Sequence, residues 1–212
     1  MRLLDWLTGA PLPVLRGNGL VLRLPRGSDY RQWSALRYES RDFLTPWEPA
    51  WSEDELSAKS YRLRLMRYRQ DARERTGYGF FIFDESGRTL YGGLTLGLVR
   101  RGVAQTATLG YWMGERYAGQ GHMGRAIDLV CTFAFEVERL HRLEAACLPS
   151  NQRSNALLMK SGFRREGLLR KYLMIAGTWE DHHLYALLAE EWSSSPARSG
   201  ADSRMPAPAV MS

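Results

Sequence analysis

The spacing of apolar positions changes several times along this chain, and each change predicts an element. Residues 20–25, "LVLRLP", alternate apolar and polar between a glycine and a proline, which predicts a strand. "GSDYRQWSALRYES" (27–40) predicts a short helix capped by Ser28 or Asp29. The next segment, "RDFLTPWEPAW" (41–51), carries two prolines together with Trp47 and Trp51. It reads as an ordered loop, because tryptophans in an idle linker would leave too much apolar area in water. "SEDE" (52–55) resembles a capping box and predicts a long helix to about Arg75, with Ala58, Tyr61, Leu65, Tyr68 and Ala72 on its apolar face.

From Gly77 onward the period shortens. "YGFFIFD", "TLYGGLTLGLV" and "AQTATLGYWMG", separated by "ESGR" and "RRG", predict an antiparallel meander. "AIDLVCTFAFEVERL" returns to helical spacing and places Ile127, Val130, Cys131 and Ala134 on one face. "LEAACL" (143–148) predicts a short buried strand, and "SNQRSNALLMKSG" a helix stopped by Gly162. Two strands finish the pattern, "GLLRKYLMI" and "EDHHLYALL", joined by the turn "AGTW". The order is strand, two helices, three strands, helix, strand, helix, two strands, which predicts an α+β fold on one mixed sheet. Residues 1–17 read as an N-terminal extension, 18–190 as the domain, and 191–212 as a disordered tail poor in apolar residues.

Composition narrows the class. In 212 residues, 44% hydrophobic and 25% charged content suits a globular domain with a real core. No apolar run approaches the ~20 residues that span a bilayer, and Asp5 interrupts the short apolar start. A cytoplasmic location is the expectation. Cys131 and Cys147 sit in apolar segments without a second pair at metal-binding spacing, so both read as buried thiols and no metal is expected. The net charge of +6 permits an anionic ligand or partner, RNA included, without naming one.

The candidate chemistry begins at "RYAGQGHMGRAI" (116–127), where Gly119, Gly121 and Gly124 run into an apolar helix. A strand, a glycine-rich turn and a helix can aim backbone N–H groups at an anion. Gln120, His122 and Arg125 would add donors. The same residues also suit a tight structural turn, and the loop alone does not separate the two readings. "GQGHMG" matches G-x-G-x-x-G, but it follows a meander rather than opening a βαβ unit and lacks a strand-end acid about 20 residues on. No Lys-Ser or Lys-Thr pair follows it, which excludes a P-loop. A pyrophosphate-bearing cofactor other than a dinucleotide fits better.

"GYWMGERYAGQGHMGRAI" followed by "LPSNQRSNALLMKSGF" resembles the Gcn5-related N-acetyltransferase (GNAT) superfamily, and within it the RimJ/RimL branch of protein N-terminal acetyltransferases. "RDFLTPWEP" and "KYLMIAGTWEDHHLYAL" are most similar to the RimJ side. The resemblance spans roughly 18–190. It implies a single, mostly antiparallel sheet flanked by helices, with a V-shaped splay between the strands at 106–113 and 143–148. It further implies acetyl-CoA as cosubstrate, its pyrophosphate on the amides of Gly119, Gln120, Gly121, His122, Met123, Gly124 and Arg125, its pantetheine along Trp112 and Met113. The superfamily loop usually reads Gln/Arg-x-x-Gly-x-Gly/Ala; the marked positions here are Ala118, Gly121 and Met123, so the first and last depart.

Acetyl transfer needs a neutral amine, a polarised carbonyl and a proton for the leaving thiolate. The resemblance implies that Ser154 supplies that proton, that Asn151 contacts pantetheine or substrate, and that Glu166 is the general base. As structure, Asn151 and Ser154 would cap the following helix, and Glu166 would be a solvated charge beside Arg164 or Arg165. Glu144 is the second choice for the base. Trp47, Tyr111 and Tyr185 are the acceptor-side candidates, with Trp51, Trp179, His182 and His183 beside them; adjacent histidines on a strand face opposite ways, so at most one points inward. Arg62, Arg64, Arg67, Arg69, Arg73 and Arg75 form either a solvated helix face or a ribosome or RNA contact. The reading is an N-acetyltransferase acting on a protein N-terminus, by resemblance a small-subunit ribosomal protein beginning with alanine. Its rivals are a polyamine or antibiotic acetyltransferase and a non-catalytic ribosome- or RNA-binding protein; a monomer and a homodimer both remain open.

Overall fold

A computed structural model describes residues 12–193. Residues 1–11 of the expected extension and 194–212 of the expected tail lie outside the described residues. Among the described residues eight strands form one sheet in the order β1-β2-β3-β4-β5-β6-β8-β7: Val14–Gly17, Leu20–Arg23, Tyr78–Asp84, Leu90–Arg100, Thr106–Met113, Arg142–Cys147, then Thr178–Leu188 beside the edge strand Arg164–Ile175. Neighbours are antiparallel except β5 and β6, which are parallel. The helices are α1 (Tyr30–Glu39), α2 (Arg41–Leu44), α3 (Ala58–Glu74), α4 (His122–Thr132), α5 (Gln152–Lys160) and α6 (Ala189–Ser193).

The ordered chain passes both expected boundaries. Val14–Gly17 pairs with β2 in a hairpin, although only four residues of weak alternation mark it. At the other end Trp192 is buried against Phe135, their rings 6.1 Å apart. Ser52 does not open α3 as expected. The helix starts at Ala58 with Ser57 as its cap, whose side chain accepts from the Ser60 amide. Asp54 instead takes the Ser52 and Ser60 hydroxyls, and Glu55 pairs with Arg64 at 2.6 Å. The expected loop at 41–51 is ordered as α2 and a 3-10 turn over Thr45–Trp47.

The core follows the pattern of the sequence. Tyr61, Leu65 and Ala72 of α3 are buried, although Ala58 at its first turn is exposed. Ile127, Val130, Cys131 and Ala134 are fully buried, the last in a π-helical turn (Phe133–Val137) that continues α4. The helix α5 ends as expected: Gly162 takes a φ of 89° while the Phe163 amide reaches the Leu158 carbonyl at 3.0 Å. Arg64 and Arg75 of the basic helix face are committed to Glu55 and Glu138, whereas Arg62, Arg67, Arg69 and Arg73 are exposed. Among the described residues no helix is long and apolar enough to cross a membrane.

Candidate active site

The parallel pair β5–β6 holds only from Thr106↔Arg142 to Thr108↔Glu144. Beyond it β5 runs on to Met113 against β4, and β6 runs on to Cys147 against β8, so the two strands part and leave facing edges without a strand partner. This is the V-shaped splay. Gly93 makes room for the Trp112 ring, since a Cβ there would fall 2.4 Å from its indole nitrogen. At Gly92 a Cβ would fall 2.4 Å from the Trp112 carbonyl oxygen, so the β4 and β5 backbones approach closely there. Met113 and Trp112 thus offer the slot a backbone edge; the Met113 side chain is in the core, and the Trp112 ring turns to the other layer.

The glycine loop stands at the open end of the slot. Gly119 and Gly121 have φ of 75° and 76°, and a Cβ on either would meet nothing within 4 Å. The requirement there is the left-handed backbone rather than crowding, and the space beside it is free. Gly121 caps α4 with no side-chain cap, so the amides of His122, Met123 and Gly124 in the first turn point outward without intrahelical partners. Met123 contributes only its amide, because its side chain is buried. Gln120, His122 and Arg125 were expected to supply side-chain donors; instead they bond to one another and to backbone carbonyls.

One face of the slot carries a hydroxyl pair. Tyr111 Oη lies 2.7 Å from Ser154 Oγ. Asn151 caps α5, its Oδ1 accepting from the Ser154 amide at 3.1 Å, which fixes Ser154 at the first turn. Burial pushes the Tyr111 phenol well above its ordinary range, with the Ser154 contact opposing. Burial likewise raises the Cys147 thiol, which sits close enough to Ser154 to feel its hydrogen bond. Cys131 and Cys147 are both buried, and among the described residues neither is in a disulfide.

Asn155, which sequence reasoning missed, organises the layer behind the pair. Its amide nitrogen donates to the carbonyls of Leu148 (3.0 Å) and Asn151 (2.7 Å), and its oxygen accepts from Tyr185 Oη (2.7 Å) and His183 Nδ1 (2.9 Å). Its place four residues after the cap, pointing back at the 148–151 turn, was the available signal. Tyr185 is corrected by the same contacts: at 2% exposure, with its hydroxyl spent on Asn155, it is not open to an acceptor. Of the histidine pair, His182 is the buried one, bonded to the Glu180 carbonyl.

Glu166 lies elsewhere. A bulge in β7 between Arg165 and Gly167 turns it toward Arg142, which grips both carboxylate oxygens. Arg142, not Arg164 or Arg165, is its partner, because those two reach Glu191 and His183. The Arg142 hydrogen bonds hold the Glu166 carboxyl below the usual range. Arg142 also pairs with Glu144 at 2.9 Å, and Arg100 lies 3.5 Å from the same carboxylate. Leu143 and Ala145 point into the core under α4 and α5, so Glu144 projects from the opposite face at the last pair before the strands part.

A third group forms a rim. Arg37 is buried, bonded twice to Glu48 at 2.8 Å, and stacked over Trp51 at 4.4 Å and Trp112 at 5.1 Å. The Ala176 amide in the β7–β8 turn donates to the Glu48 carbonyl, joining that hairpin to the 41–51 loop. Trp47 (39%) and Trp179 (52%) on these two segments remain exposed. Among the described residues no cluster of His, Cys, Asp and Glu has the arrangement of a metal site.

The Acetyltransferase (GNAT) domain family matches residues 19–164. A probable N-acetyltransferase, YjcK of Bacillus subtilis, is 34% identical over 175 residues, covering 82% of this chain and 97% of its own. The [ribosomal protein uS5]-alanine N-acetyltransferase of Escherichia coli is 31% identical over 186 residues, covering 88% and 96%. The solved structure of Mycobacterium smegmatis RimJ in complex with CoA-disulfide superimposes with a TM-score of 0.79 at 34% identity, covering 87% of this chain and 90% of that one. A split sheet, a glycine loop and a capped hydroxyl pair thus coincide with a family match over most of the chain, and the protein belongs to the GNAT N-acetyltransferases, in their RimJ/RimL group.

Proposed function

We propose that this protein transfers the acetyl group of acetyl-CoA to the N-terminal α-amine of a protein, a small-subunit ribosomal protein beginning with alanine being the acceptor. The observation that carries the proposal is the slot itself: two free strand edges, a glycine loop at the mouth and the Tyr111–Ser154 pair on one wall. The residues fit the cofactor. Free amides of 119–124 meet the pyrophosphate, and the edge of β5 at Leu109–Met113 offers pantetheine a strand to pair with. Acetyl-CoA supplies the activated thioester. The acceptor reading draws on the uS5-alanine enzyme among the relatives and on the aromatic rim of Trp47, Trp51 and Trp179.

Ser154, held by Asn151 and Tyr111, protonates the departing thiolate. Glu166 takes the amine's proton through water. Arg142 makes it a weaker base, which an α-amine tolerates better than a lysine does: the pKa is ~8 against ~10.4, a difference of roughly 3.4 kcal/mol in the cost of deprotonation. At neutral pH about 10% of an α-amine is already free base, so a weak acceptor suffices. The exposed Arg62, Arg67, Arg69 and Arg73 face ribosomal RNA while the acceptor is engaged.

The test is acetyl-CoA turnover by the purified full chain, read by mass, against alanine-starting peptides with free N-termini, N-blocked peptides containing lysine, and spermidine. Acetylation of the free α-amine alone supports the proposal. Acetylated spermidine or lysine in place of it sinks the acceptor, and coenzyme binding with no product on any of the three sinks the catalytic assignment for this panel.

A further inference from the structure

Around the glycine loop three side chains form a connected chain between two backbone carbonyls, and its polarity is fixed by a single residue. Arg125 Nη1 donates to the Asn18 carbonyl at 2.8 Å, and its Nη2 lies 2.7 Å from His122 Nδ1. A guanidinium can only donate, so His122 Nδ1 accepts and the ring proton sits on Nε2. That proton points to Gln120 Oε1 at 3.2 Å, and the Gln120 amide then donates to the Arg116 carbonyl at 2.8 Å. The chain begins in the β1–β2 turn and ends in the 3-10 turn just before Gly119. Its first anchor is itself held, because Asn18 Nδ2 donates to Asp128 Oδ2 at 3.2 Å. In the middle, His122 lies against Tyr91 with ring centroids 4.4 Å apart, and Tyr91 packs on Tyr117 at 4.5 Å.

We infer that Arg125, His122 and Gln120 are positioning residues: they tie the cofactor loop to the N-terminal hairpin and hold its amides in place for a pyrophosphate without binding it, and protonation of His122 opens the tie. The inference rests on the acetyl-CoA reading of the loop. Once protonated, His122 has two N–H donors, so Nδ1 loses its acceptor role and faces the Arg125 cation directly. The groups around the ring are Arg125 on α4, Tyr91 on β4, and Gln120, Tyr117 and Arg116 on the loop. Nearby carboxylates are Glu39, paired with Arg116, and Asp128, which accepts from Asn18. Burial first, and Arg125 second, hold the ring below the ordinary histidine range. A depressed histidine favours the neutral form in the folded state, so the tie is whole above that range and is lost as pH falls below it.

The sign of the pH effect separates positioning from contact. A His122 or Arg125 that touched phosphate would bind it more tightly as the ring gained charge; a positioning His122 binds it more weakly. The experiment is calorimetric titration of the full chain with 3′-dephospho-CoA, whose pyrophosphate does not titrate between pH 5.5 and 8, with circular dichroism at each pH as the control for folding. We expect wild-type affinity to fall severalfold toward pH 5.5, and His122→Gln to flatten that dependence. Arg125→Gln and Arg125→Lys should lose affinity alike, since a lysine keeps the charge but does not bridge both acceptors. Affinity that rises toward pH 5.5, or full rescue by Arg125→Lys, overturns the inference in favour of direct contact. A folded wild type that binds no 3′-dephospho-CoA at any pH overturns the cofactor reading beneath it.

Discussion

At the scale of single residues, the site depends on short side chains at fixed places. Ser154 sits at the first turn of α5 because Asn151 caps that helix, and its hydroxyl is left to Tyr111. Replacing Ser154 by alanine removes the proton donor and should lower kcat by roughly 10²-fold with little change in KM for acetyl-CoA. Tyr111→Phe leaves Ser154 in place without its partner and should cost less, about tenfold, in the same steady-state assay. A larger loss for Tyr111→Phe than for Ser154→Ala would transfer the donor role to the tyrosine. Ser154 and Asn151 were legible in the sequence because a capping residue and its i+3 neighbour are a local pattern. The partners of Glu166 were not: a bulge decides which way it turns, and its guanidinium comes from a strand 24 residues earlier.

At the scale of elements, the chain's own periodicity placed nearly every helix and strand, and the exceptions have local causes. Two serines competed to start α3. Ser52 precedes an acidic run, but Asp54 draws both nearby hydroxyls, and the helix begins only after Ser57. Ser57→Ala should therefore cost about 1 kcal/mol of stability in denaturant unfolding, whereas Ser52→Ala should stay within about 0.5 kcal/mol. Equal losses from the two would restore the earlier helix start. The strand β1 was missed because four residues carry too little alternation, and only pairing with β2 and the reach of Arg125 to Asn18 give it a role.

At the scale of the whole molecule, long-range polar contacts tie the layers together. Glu138, only 5% exposed, accepts from Tyr78 Oη at 2.8 Å and from Arg75 and Arg101, so the end of α3, β3 and the β4–β5 loop meet on one carboxylate. Glu138→Ala leaves the buried Tyr78 phenol without its acceptor, while the half-exposed Arg75 and Arg101 turn to water, and should destabilise the fold by about 1–3 kcal/mol. Thermal unfolding checks this, and a loss under 1 kcal/mol would mean that water replaces the carboxylate. The sequence by itself determined the periods of the elements, the glycine loop, the cap and stop of α5 and the family resemblance, because these are written in residues a few positions apart. The tertiary structure alone decided where β5 and β6 part, that Tyr185 is buried behind α5, that Arg142 takes both Glu144 and Glu166, and that the loop's polar side chains bind each other. Those outcomes depend on strand register and on which distant groups compete for the same hydrogen bonds, and neither is expressed in any short stretch of chain.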